Sequence, residues 1–125
     1  MRLPLDTHVF LWAVAGSSSL KRPARRFIES AGQVYVSAAS IWEVAIKASL
    51  GKIDADPAAL IAAITDSGFI ELPVTAAHAA GVAALPSLHN DPFDRILLAQ
   101  ALAEPLRLLT AGAALAKHSD VVMTL

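Results

Sequence analysis

The hydrophobic and polar positions along the chain alternate between short extended segments and longer helical ones. Five short apolar or β-branched segments predict strands, at residues 2–5, 33–36, 69–72, 106–109 and 121–123. The intervening segments predict helices, at residues 7–15, 23–30, 38–50, 57–67, 76–85, 92–103 and 113–117. Strands that alternate with helices favour right-handed crossovers. The pattern therefore predicts an α/β fold with three layers, α/β/α, in which helices cover both faces of a mostly parallel central sheet.

The composition limits what such a fold can do. The chain has 125 residues, which fits one domain spanning residues 1–125. It is 55% hydrophobic and 17% charged, so we expect more apolar surface than a small monomer hides, and therefore a homodimer or another protein partner. The formal net charge of -1 gives no overall attraction to nucleic acid. The absence of cysteine excludes disulfides and thiolate chemistry.

The beginning of the chain loosely imitates a secretory signal, because an arginine and an apolar stretch precede Ala13-Val14-Ala15. Asp6 and His8 interrupt that stretch, and the uninterrupted run from 9 to 14 is too short for a signal. No segment approaches the ~18 continuous apolar residues of a membrane span. We therefore expect a cytoplasmic protein with no membrane association.

Acidic residues follow the predicted strands at positions that can meet in space. Asp6 comes directly after the first strand, Glu43 lies in the helix after the second, and Asp91 and Asp94 head the helix 92–103. In a parallel sheet, functional groups gather at the carboxyl ends of the strands. We expect Asp6, Glu43 and Asp94 to converge at that edge.

Each acid also has a purely structural explanation. Asp6 and Asp91 can cap helices, and Ser40 with Glu43 has the spacing of a capping box. If the helix begins near Ser37, however, Glu43 lies in its second turn on an apolar background. Matching basic residues are scarce nearby in the sequence, so a shared hard cation, magnesium or manganese, is the economical way to hold buried carboxylates together.

Five stretches together carry a family resemblance: LPLDTHVFLW, VSAASIWEVAIK, LPVTAAHA, HNDPFDRILLAQAL and LLTAG. In this order and spacing the chain resembles the PIN-domain family, most closely the VapC-like ribonuclease toxins of toxin–antitoxin pairs. The resemblance implies magnesium-dependent cleavage of RNA, dimerisation, and inhibition by a small antitoxin protein. It also implies that Asp6, Glu43 and Asp94 are the catalytic metal ligands.

One position departs from the family pattern. Relatives commonly place an aspartate two residues after the threonine of the LLT segment, whereas this chain has Gly112 there. Either Asp91 or a water takes the place of the missing fourth acid, or the protein binds metal more weakly.

Several other residues have two possible roles. The basic cluster at 21–26 can follow RNA phosphates or form a solvated helix face. His8 and His89 can act on a substrate or be structural. Trp12 and Trp42 suit core or dimer packing better than base stacking, and Arg95 can brace an acid, touch phosphate or form a surface ion pair.

Two rival functions share the predicted fold. A PIN-like module that binds without cleaving is compatible with the missing acid at Gly112. A phospho-receiver domain has the same layers and an acidic magnesium pocket, but it needs an acceptor aspartate after the third strand, where this chain has Leu72-Pro73.

Overall fold

The computed structural model describes residues 2–86, 91–104, 106–111 and 122–124. Within these ranges the chain forms a sheet of parallel strands in the order β3-β2-β1-β4-β5. The strands are β1 (Arg2–Leu5), β2 (Gln33–Ser37), β3 (Ile70–Leu72), β4 (Leu108–Thr110) and β5 (Val122–Thr124). After β3 the chain returns to the other side of β1. The carboxyl ends of β1 and β4 therefore flank the topological switch point, where sheets of this kind bind ligands.

The helices match the predicted pattern closely. They are α1 (Thr7–Ala15), α2 (Arg22–Ser30), α3 (Ala38–Ser49), α4 (Pro57–Asp66), α5 (Ala76–Gly81) and α6 (Pro92–Ala103). Local chemistry sets several of these bounds. The side chains of Asp6, Ser37, Asp56, Thr75 and Asp91 cap the starts of α1, α3, α4, α5 and α6.

Two of the helices are followed by the glycines at which the sequence predicts their ends. Gly51 follows α3 and Gly68 follows α4, with φ angles of 72° and 76°. This left-handed conformation is strained for residues that carry a Cβ atom. The chain can therefore leave each helix sharply at these two positions.

Two apolar clusters lie on opposite faces of the sheet, because side chains alternate along each strand. One cluster joins Leu5 and Val36 of the sheet to α1, α2, α3 and α4. The other joins Tyr35 and Leu108 of the sheet to α6 and to the start of α3. Helices thus cover both faces, and the predicted three-layer α/β/α fold is confirmed.

The structure differs from the predicted elements most in three places, and several other bounds move by one residue. The predicted helix 76–85 divides into α5 and a 3-10 turn at Val82–Ala84. The fourth strand is shifted towards Thr110, because the amide of Leu106 bonds to Ala101 at the end of α6. The third strand loses Phe69, whose amide bonds to Ile64 and closes α4. The predicted helix 113–117 lies outside the described residues.

In the part of the chain that the structure describes, no helix is both long and apolar enough to cross a membrane.

Candidate active site

Asp6 lies at the switch point, between the end of β1 and the start of α1. Its Oδ1 accepts a hydrogen bond from the amide of Val9 at 2.8 Å, which caps α1. Its Oδ2 accepts from the amide of Ala111 at 3.0 Å and from the hydroxyl of Thr110, both at the end of β4. The residue is only 5% exposed. Three donors therefore stabilise this buried carboxylate and fix its orientation.

Glu43 lies in the second turn of α3 and is 3% exposed. The helix is capped by Ser37, whose hydroxyl oxygen accepts from the amide of Ala39 at 3.0 Å. The second-turn position expected for Glu43 is thus confirmed, and the capping box of Ser40 with Glu43 is wrong. A carboxylate so deeply buried needs a partner that compensates its charge.

That partner is Lys47, one turn further along α3. Its Nζ lies 2.5 Å from Oε2 of Glu43. The expectation that basic residues are scarce near the acids is therefore wrong, since the i,i+4 spacing places a lysine directly against Glu43. The hydrogen bond to Glu43 raises the pKa of Lys47 above 10.5, against the opposing effect of burial. The charges of Glu43, Asp91 and Asp94 raise this pKa further.

Asp91 and Asp94 occupy the start of α6. Oδ1 of Asp91 accepts from the amides of Phe93 at 2.9 Å and Asp94 at 3.1 Å, so its predicted capping role is confirmed. Asp94 lies in the first turn, where a negative charge interacts favourably with the helix dipole. Both carboxylates favour the charged form of Lys47, the partner of Glu43.

Arg95 anchors the start of α6. Its guanidinium donates to the carbonyl oxygens of Pro86 at 2.9 Å and Val82 at 3.1 Å. These bonds tie the first turn of α6 to the segment that follows α5. They therefore help to fix the backbone that carries Asp94.

A buried hydroxyl pair joins the two sides of the site. Oγ1 of Thr7 donates to Oγ of Ser40 at 2.9 Å. Thr7 adjoins Asp6, and Ser40 lies one turn before Glu43, so the bond couples the start of α1 to α3. Sequence reasoning missed this contact, although hydroxyls beside both acids in an apolar background were a visible signal.

The remaining predicted candidates are placed as follows. Trp12 packs partly against the core, and its ring centroid is 6.2 Å from that of His8, an exposed residue. Trp42 is 58% exposed and meets the ring of Phe93 edge-on at 5.0 Å. In the basic cluster, Lys21, Arg22 and Arg26 are exposed, whereas Arg25 donates to the carbonyl of Ser17. His89 and Gly112 lie outside the described residues.

The carboxylates suit a hard divalent cation, which prefers oxygen ligands. Within the described residues, no three acidic, histidine or cysteine side chains already stand close enough to hold one metal ion. The ammonium of Lys47, however, is stabilised beside Glu43 and by the charges of Asp91 and Asp94. Positive charge is therefore favoured beside Glu43. The carboxylate oxygens are ligands that suit magnesium or manganese.

Solved structures with the same fold include bacterial two-protein complexes. The chain is similar to the DNA-bound VapBC2 complex of Rickettsia felis, at 13% identity and a TM-score of 0.70, over 100% of this chain and 98% of that one. It is similar to a toxin–antitoxin complex from Klebsiella pneumoniae, at 21% identity and a TM-score of 0.68, over 98% and 96%. DNA-bound VapBC from Salmonella typhimurium gives 14% identity and a TM-score of 0.70, over 100% and 97%.

The two comparisons of sequence give different results. No curated protein matches the chain significantly. The PIN domain matches residues 4–121, which include every acid of the site. Because this match spans nearly the whole sequence and agrees with the fold, the chain belongs to the PIN-domain family, whose members are generally nucleases that depend on a divalent metal ion.

Proposed function

We propose that the protein is a metal-dependent endoribonuclease that acts in the cytoplasm as the toxin of a toxin–antitoxin pair. The observation that carries the proposal is the acidic edge of the sheet. Asp6, which follows β1, and Glu43 in α3 are both buried, and the charges of Asp91 and Asp94 act on the ammonium that pairs with Glu43. Membership of a nuclease family makes a phosphodiester the natural substrate for this edge.

Asp6, Glu43 and Asp94 would hold the metal, with magnesium as the expected ion and manganese as a substitute. When bound, the metal supplies a more acidic water and neutralises charge on the phosphate. The protein's own contribution is position. Three hydrogen bonds hold Asp6, the Asp91 cap sets the turn that carries Asp94, and the Thr7 to Ser40 bond joins the two sides.

The toxin role rests on the similar structures, which are VapBC and other toxin–antitoxin complexes. The surface of this chain is also suited to a protein partner. Beside the start of α6 lies a groove of ≈ 550 Å³ that includes Trp42, Val74 and Ile96. A cognate antitoxin, a second copy of the chain, or both would cover such apolar surface.

We propose that the protein forms a homodimer and that Trp12 and Trp42 contribute to its interface. Light scattering that gives a monomer at micromolar concentrations would contradict this proposal.

The test is cleavage of RNA by the purified protein. We expect cleavage that requires magnesium or manganese, stops with a chelator, and is abolished by Asp94→Asn, because the amide keeps the shape but loses the charge that holds the ion. Asp66→Asn is the matched control, since Asp66 is an exposed acid at the end of α4. Cleavage that survives chelation or Asp94→Asn would defeat the mechanism.

A second candidate is a PIN-like module that binds RNA or protein without cleaving. It is favoured by the lack of a ready-made three-ligand group among the described residues. The same assay separates the two functions, because a binding module cuts no RNA, and a module that binds RNA also retains it in a mobility-shift experiment.

A further inference from the structure

The ammonium of Lys47 lies directly beside Glu43, one of the proposed metal ligands. Its Nζ lies 2.5 Å from Oε2 of Glu43, and Asp91 and Asp94 also act on its charge. The lysine extends from α3 one turn after Glu43, so the same helix carries the acid and its counter-charge. The side chain is 28% exposed, and its long flexible stem reaches solvent.

The electrostatic balance of the site explains why such a residue is needed. Glu43 is almost completely buried, and Asp91 and Asp94 add two further negative charges nearby. A buried carboxylate without a partner is strongly destabilising, and like charges repel one another. In the protein without metal, Lys47 supplies the compensating positive charge. When a divalent cation binds, the same ammonium repels it.

We propose that Lys47 is a positioning residue that fills the cation position of the acidic site in the metal-free protein and thereby weakens metal binding. This inference rests on the proposed metal-dependent function and deepens it. Lys47 orients Glu43 when no metal is bound and withdraws towards solvent when the metal enters. The Lys47 side chain thus stabilises the fold when no metal is bound, and it lowers the affinity of the site for metal.

The experiment compares Lys47→Met and Lys47→Arg with the wild type, without RNA. Lys52→Met is the matched control, because Lys52 is an exposed lysine just beyond the same helix. Binding of manganese is measured by electron paramagnetic resonance and by calorimetry at constant pH. Thermal unfolding is measured in the presence of EDTA and then with saturating manganese.

We expect Lys47→Met to bind manganese about tenfold more tightly, because one positive charge no longer opposes the ion. In EDTA the same variant should unfold about 4 °C lower than the wild type, and manganese should restore the loss. Lys47→Arg keeps the charge, so its affinity should stay within about twofold of the wild type. Lys52→Met should match the wild type in both measurements.

Three results would overturn the inference. If Lys47→Met binds manganese no more tightly than the wild type, Lys47 does not compete with metal, while the proposed nuclease stands. If, in a separate cleavage assay, that variant cuts RNA more slowly at unchanged manganese affinity, the lysine acts on the substrate instead. If neither protein binds manganese, the metal-dependent function fails, and the inference fails with it.

A folding failure is also informative. Should Lys47→Met be unfolded in EDTA, it is purified with manganese and the metal is then removed. Loss of structure only on removal supports the inference, because metal then replaces the missing charge. An unfolded variant with or without metal overturns it.

Discussion

The two sides of the acidic edge compensate negative charge in different ways. On the β1 side, Asp6 is held by two backbone amides and one hydroxyl. On the α3 and α6 side, Glu43 pairs with the ammonium of Lys47, which also responds to Asp91 and Asp94. Backbone donors cannot leave without local unfolding, whereas a lysine side chain can rotate away. The β1 side is therefore preformed, and the α3 and α6 side is exchangeable.

The largest expected effect is a difference in the rate of RNA cleavage between an Asp6 variant and an Asp91 variant. Asp6→Asn should lower magnesium-dependent RNA cleavage by at least about 100-fold. It removes the charge of a proposed ligand and places an amide N–H₂ opposite groups that donate hydrogen bonds to Asp6. Asp91→Asn should lower it by about tenfold or less, since asparagine caps a helix as well as aspartate. Initial rates on a short labelled RNA measure both. Equal losses would show that Asp91 is a ligand of the same rank as Asp6.

The next effect concerns stability and uses Asp56 as the comparison, because it caps α4 through one exposed bond to Ala58. Asp6→Ala should lower the free energy of unfolding by about 2–4 kcal/mol, since it leaves buried donors without an acceptor. Asp56→Ala should cost about 1 kcal/mol. Urea unfolding in EDTA measures both. If the two variants lose the same amount, the bonds from Thr110 and Ala111 contribute little.

A third prediction concerns a carboxylate added at Gly112, next to Ala111. Gly112 follows Ala111, whose amide binds Asp6, and it stands where the family resemblance implies an acid. Gly112→Asp should tighten magnesium binding by roughly tenfold, a size typical of supporting carboxylates around metal sites. Gly112→Asn is the control for size and backbone strain, and thermal melts report that strain. Unchanged affinity in a folded Gly112→Asp protein would mean that another group, such as Asp91, fills the fourth position.

The smallest effect is the pH dependence of the exchangeable side. Because the folded state raises the pKa of Lys47 above 10.5, the stabilisation from its ion pair is complete below that pH and is lost as the pH rises through the folded value. We expect a loss of less than about 1 kcal/mol, measured by urea unfolding between pH 9 and 12. Lys47→Arg should not show this loss, since guanidinium stays charged. Identical pH profiles would contradict the pairing.

Much of the fold was predictable, because its boundaries depend on neighbouring residues. Asp6 before α1, Asp91-Pro92 at α6, and Gly51 and Gly68 after α3 and α4 are local signals that the structure bears out. The helix at 76–85 was predicted as one element although Gly81 lies at the change to a 3-10 turn, because an isolated glycine is tolerated inside a helical pattern. Local chemistry therefore predicts where elements begin and end better than how a helix is wound.

The site was only partly predictable, for two different reasons. The bond from Thr110 to Asp6 joins residues 104 positions apart, and only the assembled sheet reveals it. The pair of Glu43 and Lys47 was visible as an i,i+4 spacing on one helix, but the mostly apolar sequence around Glu43 obscured it. The convergence of Asp94 on the other acids stays a prediction that metal binding can test.

The bonds between Asp6 and the end of β4 also bear on the order of synthesis. Asp6 directly follows β1, whereas its donors Thr110 and Ala111 follow 104 and 105 residues later. Translation proceeds from the amino terminus, and contacts between distant residues close slowly. Until residue 111 has been made, Asp6 lacks two of its three donors. The growing polypeptide on the ribosome therefore carries an incomplete acidic pocket until the end of β4 has been made.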